Sequence, residues 1–293
     1  MLRADRLFEA AITHKCWTNS MKRVRIFLNE YQSSIEVANE LSERFRSLGM
    51  EAEQVYIKSL DNKGGDFDVN IVVGGDGTFL QSVRLSEFHS APFIGINTGG
   101  LGFFQEIGVD EIPTLVHMLK KEEFITDEMK LIKSVATTND GSELSFYAIN
   151  EILIKGINSK VIHMDVYVER NFLQKFSGDG IIISTSVGST AYNFSVGGAI
   201  VHPSIETMQM SPLAPISSAA YRSLLNPIVM PGNYTIDIYP ETKYEKSVLI
   251  VEDGVENFVR NIRKIETTIS NTFVNRLHLD KDIYWKNLKD KFI

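Results

Sequence analysis

What this chain lacks narrows its reading first. Cysteine is nearly missing: Cys16 stands alone among 293 residues, so no internal disulfide can form and a reducing cytoplasm is the expected compartment. No apolar run approaches the roughly 20 residues of a membrane span, so no membrane association is expected. Basic excess is absent too, and a formal net charge of -7 argues against a general nucleic-acid binder, which carries a basic stripe. With that charge, an anionic ligand must be held by local N–H groups and a few cations, not by the overall field. The six histidines, at 14, 89, 117, 163, 202 and 278, show no metal-ligand spacing with the single cysteine, and no protein metal ligand is expected. A Gly-x-Ser-x-Gly elbow is missing, which leaves a hydrolase without its nucleophile. So is the Gly-x-x-x-x-Gly-Lys-Ser/Thr loop, which leaves a bound phosphate to glycine turns without a Walker lysine.

What is present is ordinary in bulk and organised in detail. A chain of this length holds two domains, or one large one, with a real core, and its 43% hydrophobic and 23% charged residues are those of a globular protein. Residues 1–20 show no sustained alternation and are expected to be a disordered extension. Asp5 and Glu9 speak against a transit peptide, and Met21 is the preferred natural start. From there strand and helix alternate. Arg23–Leu28 reads as a strand, and Ser33 to Glu36 as a capping box. Ile35, Ala38, Leu41, Phe45 and Leu48 recur at helical spacing before a stop at Gly49. A second helix is expected after residues 74–77, a buried strand at Phe93–Ile96, and a helix over 110–121 with Pro113 near its start. This order implies a parallel sheet with ligands beyond the carboxyl ends of its strands.

After about residue 126 short β-rich runs dominate: Ser145–Ile149, Ile152–Ile154, Ile162–Val168, Ile181–Ser184, Tyr234–Tyr239, Val248–Val251 and Thr267–Ile269. Such spacing predicts an all-β domain of sandwich type. The tail from Asp280, with Ile283, Trp285, Leu288 and Phe292, reads as a last amphipathic helix returning to the first domain. The expected divisions are therefore 21–125, 126–275 and 276–293.

Four polar pieces interrupt this pattern. Val72-Val73-Gly74-Gly75-Asp76-Gly77-Thr78 ends a strand in three glycines around one acid. Glycines permit close backbone approach to a ligand, and the next helix's first N–H groups face an anion. Asn97-Thr98-Gly99-Gly100-Leu101-Gly102-Phe103 is a second glycine-rich turn, and Asn150-Glu151 a polar pair between apolar runs. Ser177-Gly178-Asp179-Gly180 leads through a strand into Thr185–Ser195, whose hydroxyls, aromatic and amide suit a flat heterocycle with polar edges. Each piece alone has a plain structural reading: Asp76 and Asp179 as turn aspartates, Asn150-Glu151 as a strand-edge pair, Tyr192 and Phe103 as core aromatics.

Together the four resemble the NAD kinase family, whose hallmarks are GGDGT, GIN-x-G-x-LGF, an Asn-Glu pair, and a GDG turn running into STP-x-GSTAY. Here they read Gly74–Thr78, Gly95–Phe103, Asn150-Glu151 and Gly178–Tyr192, in the same order. The likeness extends over nearly everything after Met21. The continuation through Asn193, Ser195 and His202–Glu206 is similar to the compact Gram-positive bacterial members.

The resemblance implies an α/β N-terminal domain with a Rossmann-like, phosphofructokinase-like parallel sheet, and an all-β C-terminal domain. It implies transfer of a phosphoryl group from ATP, or polyphosphate in some members, to the adenosine 2′-hydroxyl of NAD, giving NADP. Asp76 would be the proton acceptor, within a cradle of Gly74, Gly75, Gly77 and Thr78. A free carboxylate, of ordinary pKa about 3.9, suffices when positioning and charge stabilisation do most of the work. Mg2+ would neutralise the donor phosphates. Asn150 and Glu151 would grip the ribose or adenine side, and Asp179 the nicotinamide carboxamide or its ribose. Thr190, Ala191, Tyr192 and Ser195 would line the NAD pocket, with Phe103 and Ala214 beside it. A homodimer or homotetramer built through the β-rich domain is also implied. Ser177 stands where relatives often carry Arg, and Ser186 where many carry Pro. Two other readings share the glycine–acid turn: a lipid or sphingoid-base kinase, and a non-catalytic NAD-binding sensor.

Overall fold

The computed structural model describes residues 21–59, 65–99, 102–217, 222–241, 247–280 and 282–293; the expected extension over 1–20 and the Gly100-Leu101 step lie outside them. The chain divides into two compact units, Met1–Glu128 with Val274–Ile293, and Met129–Phe273. Among the described residues no helix is long and apolar enough to cross a membrane.

The first unit runs β1 (Arg23–Leu28), α1 (Gln32–Ser47), β2 (Glu51–Tyr56), β3 (Val69–Val73), α2 (Asp76–Leu85), β4 (Phe93–Asn97), β5 (Gln105–Gly108) and α3 (Ile112–Lys121). β1 pairs β2 and β3, β3 pairs β4, and β4 pairs β5, all parallel. All five residues of β3 are buried, as a strand covered on both faces requires. α1 buries Val37, Ala38, Leu41 and Phe45 against this sheet's core. Each such side chain stabilises by about 1.5–3 kcal/mol when fully buried. The expected capping box is not used: α1 begins at Gln32, Tyr31 caps it without its side chain, and Ser33 falls inside the first turn. Asn29 Oδ1 accepts the Tyr31 N–H at 3.1 Å, and this side-chain turn starts the helix earlier. Gly49, at φ +77°, ends it.

In the register, Val73 lies beside Leu28 on one side and Ile96 on the other. The carboxyl ends of β1, β3 and β4 are therefore level, and Asn29, Gly74 and Thr98 leave the sheet along one edge. Such an edge is where ligands bind in parallel sheets.

The second unit carries β6 (Ile125–Thr138), β7 (Glu143–Ala148), β8 (Glu151–Lys155), β9 (Ile162–Val168), β10 (Asn171–Gly178), β11 (Gly180–Thr185), α4 (Tyr192–Ser195), β12 (Thr207–Leu213), β13 (Ile228–Pro231), β14 (Ile236–Pro240), β15 (Ser247–Glu252), β16 (Val255–Arg260) and β17 (Ile262–His278). The chain passes from unit to unit within β6 and β17. Here one sheet runs β10-β9-β14-β17-β6-β7 and another β13-β12-β11-β8-β15-β16. Alternate residues Ile152/Ile154, Ile181/Ile183 and Met208/Met210 meet Met164/Val166 and Ile236/Ile238 in one core, so the sheets form a sandwich.

The last helix, α5 (Ile283–Phe292), belongs to the first unit. Its expected stripe is shifted: Ile283 and Asn287 are buried, whereas Trp285 is 58% exposed.

Candidate active site

β3 delivers its chain into the glycine turn, and each glycine there answers a different need. Gly74 adopts φ +152°, and a Cβ would overlap the Thr78 side chain. Gly75 and Gly77 have no such reason, since a Cβ on either meets nothing within 4 Å among the described residues. Gly77 lies inside α2, where glycine costs about 1 kcal/mol against alanine. What these two glycines leave is open space beside a helix N-terminus that no side chain caps. That is a cradle shaped for an anion. Thr78 is buried and its hydroxyl accepts from Asn29 Nδ2 at 3.2 Å, which ties β1 to the cradle.

Asp76 is the first residue of α2, and its carboxylate closes the distance to the second glycine turn. Oδ1 accepts the N–H groups of Phe103 and Phe104 at 3.0 and 3.1 Å. Oδ2 lies 3.2 Å from the Phe103 nitrogen and 3.6 Å from Lys291 Nζ. Gly102 permits this approach, because a Cβ there would strike the Asp76 carboxylate and Gln105. The carboxylate stays 29% exposed. Phe103 is only 9% exposed; Lys291 stands 4.6 Å over its ring, with Phe292 at 5.7 Å and Tyr284 at 6.4 Å between centroids.

Behind the loop lies a buried ionic chain. Arg276 Nη2 donates to the Phe103 carbonyl at 2.7 Å and lies 3.4 Å from Glu106, whose side chain is fully buried. Glu106 Oε2 is 3.1 Å from His278 Nδ1, and His278 Nε2 is 3.0 Å from Asp127. Burial disfavours the charged ring, yet the hydrogen bonds that it donates to Asp127 and Glu106 outweigh this and raise the His278 pKa above 6.5. Both ring nitrogens face carboxylates, which suits an imidazolium.

In the second unit the site is built around the start of β8. Asp253 accepts the N–H groups of Ile149, Asn150 and Glu151 at 2.7, 2.8 and 3.2 Å. It sits in the two-residue Asp253-Gly254 turn between β15 and β16, with both φ values positive. The Asn150 carbonyl accepts from the Thr185 N–H at 2.9 Å, and the Thr185 hydroxyl donates to the Ile149 carbonyl at 2.7 Å. A Cβ at Gly188 would overlap the Asn150 carbonyl, so glycine lets the 187–190 turn pack directly on the pair.

Glu151 is thus held by its backbone, with its side chain buried. Burial, then the nearby Asp253 charge, push its pKa up to about 8, against one opposing hydrogen bond from the Tyr192 N–H. Among the described residues Oε2 finds no partner. A buried polar atom left unmatched is costly, and it points to an absent ligand. Tyr192, 44% exposed, offers a ring face beside it.

The structure brings Gly74, Gly75, Asp76, Gly77, Thr78 and Phe103 together in the first unit. In the second it gathers Asn150, Glu151, Thr190, Ala191, Tyr192 and Ser195. Asp179 and Ala214 stand apart from that group. The Asp179 N–H bonds to the Leu213 carbonyl at the opposite end of β11, whose six residues span about 20 Å and are all buried. Ser177 bonds to His163 Nδ1 at 2.7 Å. Ser186 accepts from the Thr207 N–H at 3.2 Å and donates to the Ile205 carbonyl, which ties down the loop where a proline ring is lacking. The sequence reading missed Asn29, Arg276, Lys291 and Asp253. Only Asp253 carried a local signal, in its Asp-Gly hairpin turn.

Comparison with known proteins follows the same division. The ATP-NAD kinase N-terminal domain matches residues 7–124, and the ATP-NAD kinase C-terminal domain matches 149–271. The chain is 37% identical to an NAD kinase of Finegoldia magna over 282 residues, 94% of this chain and 99% of that one. It is 36% identical to an NAD kinase of Lactobacillus johnsonii over 228 residues, 77% and 84% of the two chains. Among solved structures, yeast NADH kinase complexed with NADH superposes with TM-score 0.78 at 18% identity, covering 94% of this chain and 88% of that one. An NAD kinase from Archaeoglobus fulgidus in complex with ATP superposes with TM-score 0.74 at 24% identity, covering 92% and 98%. These two likenesses establish a shared fold.

Proposed function

The chain belongs to the NAD kinase family and is a kinase of NAD; from that premise we propose that Asp76 is the base of the reaction and that Glu151 holds the dinucleotide. In the step proposed, Asp76 Oδ2 takes the proton of the adenosine 2′-hydroxyl. That oxygen bonds to the γ-phosphorus of ATP, and the bond to the bridging oxygen breaks, releasing ADP. Oδ2 is suited to this role because Oδ1 already accepts two N–H groups. The open space at Gly75 and Gly77 supports phosphate binding, and Lys291 supplies a cation beside it. Among the described residues no group of three His, Cys, Asp or Glu could hold a metal ion. Magnesium, which neutralises phosphate charge, therefore fits as a counter-ion brought with ATP.

The observation that carries the dinucleotide half is the orphaned, buried Oε2 of Glu151. Its carboxyl is largely neutral at pH 7, and accepting two ribose hydroxyls would ionise it, so binding should release a proton. Asn150, Thr190, Ala191, Tyr192 and Ser195 line the same turn, with Tyr192 stacking on the heterocycle. Phe103 acts chiefly as the packed floor under Lys291. Asp179 and Ala214 lie at the far end of a buried strand, which supports a role for them toward a second copy of the chain. A homo-oligomer is also supported by the outer face of β9, β10 and β14, where Phe172 is 59% exposed and Tyr167 packs on Phe172 and Tyr239. The lone cysteine fits a cytoplasmic enzyme.

Purified protein with NAD, ATP and magnesium should form NADP, detected by an NADP-specific dehydrogenase. Phosphorylation of a sphingoid base in place of NAD, or tight NAD binding with no turnover, would contradict the reading.

A further inference from the structure

The Phe103–Phe104 peptide is gripped at both ends. Its N–H, on Phe104, donates to Asp76 at 3.1 Å, and its carbonyl, on Phe103, accepts from Arg276 at 2.7 Å. A cation on the carbonyl polarises the peptide and strengthens the N–H bond to the carboxylate. Arg276 is itself held: Glu106 lies 3.4 Å away, His278 bonds to Glu106, and Asp127 bonds to His278. The Leu279 N–H donates to Glu106 Oε1 at 3.2 Å, fixing the second oxygen. Signs alternate along this route, from carboxylate to guanidinium to carboxylate to imidazolium to carboxylate.

Stability alone gives a poor account of this arrangement. A buried ion pair loses in desolvation much of what it gains in attraction. Arg276 also leaves Nε buried without a partner among the described residues, a cost that a pair selected for stability would avoid. What the guanidinium achieves instead is direction, because Nη2 points at the carbonyl of one of the two peptides whose N–H groups orient Asp76.

We propose that Arg276 is a positioning residue for phosphoryl transfer, acting on Asp76 through the Phe103–Phe104 peptide, with Glu106 and His278 holding Arg276 in register. The proposal rests on the reading of Asp76 as the base. Lysine cannot replace the guanidinium, because it keeps the charge but loses the rigid planar group that holds Nη2 against the Phe103 carbonyl and Glu106 at once.

The test is a double-mutant cycle between Arg276→Lys and Asp76→Asn, reading kcat for NADP formation and the Kd of NAD. Arg276→Lys should lower kcat about tenfold, the scale of a small misplacement of a catalytic group, and leave the NAD Kd within about twofold. In the Asp76→Asn background the same change should cost almost nothing more, because the route then ends on a residue that no longer takes the proton. Full multiplication of the two losses, or a loss confined to the NAD Kd, would overturn the proposal. If Arg276→Lys does not fold, His278→Gln runs the same cycle, with a kcat loss of about threefold that also vanishes beside Asp76→Asn. A wild type that makes no NADP would remove the functional reading itself. An Asp76→Asn enzyme of full activity would remove the base and this inference with it, and either result is visible before the cycle is closed.

Discussion

Asp76 and Glu151 are both acids at a strand end, and their surroundings differ in nearly every respect. Asp76 is partly exposed, accepts N–H groups from Phe103 and Phe104, and faces the Lys291 ammonium. Glu151 is buried, receives one opposing N–H from Tyr192, and has Asp253 as its charged neighbour. The first environment leaves an acceptor oxygen reachable at the edge of a phosphate cradle. The second holds a carboxyl neutral, at a pKa of about 8, with one oxygen unmatched. Two like groups are thereby fitted to different work, one to take a proton during the reaction and one to recognise hydroxyls before it.

The sharpest way to break this contrast is to remove the charge of Asp76. Asp76→Asn should lower turnover by roughly 10²-fold, the usual scale for a general base, in steady-state kinetics at saturating substrates. Unchanged turnover would return Asp76 to the plain turn residue that its sequence also allowed.

The next effect concerns pH. If NAD binding ionises Glu151, calorimetric NAD affinity should rise with pH by up to about tenfold per pH unit below pH 8 and level off above it. Glu151→Gln should give a flat profile, and an unaltered slope in that variant would show that another group releases the proton.

Stability should respond in the opposite sense. The Glu151 value of about 8 in the folded chain lies above the ordinary 4.5, so its stabilising contribution is complete below pH 4.5 and is lost as pH rises toward 8. His278 is also raised, and its contribution is complete below pH 6.5 and lost above it, as pH rises through the folded value. Denaturant titrations should therefore show wild-type stability falling across both windows. Glu151→Gln should abolish the lower one and His278→Gln the upper one. A tenfold difference in proton affinity between the folded and unfolded chain corresponds to about 1.4 kcal/mol. The smallest effect belongs to the loop: Ser186→Ala loses its bonds to Ile205 and Thr207 and should cost about 1 kcal/mol.

The contrast also explains what could be read from the sequence. The parallel sheet was legible because β3 ends in the apolar run Ile71-Val72-Val73 before its glycines and α1 keeps a helical spacing. Strands β8 and β11 were legible as short apolar runs, and β9 because Ile162, Met164 and Val166 alternate inward. β2 and β16 were not, since both are edge strands with a single buried residue each. Of the long strands, β17 was read only at Thr267–Ile269 and β6 not at all, because their polar faces break the alternation that marks burial. The glycine turns and the Asn-Glu pair announced themselves by breaking apolar runs. Asn29, Arg276 and Lys291 did not, because each reaches its partner across 49, 173 and 215 residues of chain. Distances of that kind come from tertiary packing and leave no local pattern.

The central claim is that the two acids divide the labour, and one paired measurement tests it most directly. NAD Kd and kcat are determined for Asp76→Asn and Glu151→Gln side by side at pH 8. The account predicts a crossed result: Asp76→Asn loses kcat and keeps its NAD Kd, whereas Glu151→Gln weakens NAD binding and keeps kcat at saturation. Loss of the same parameter in both variants would contradict it.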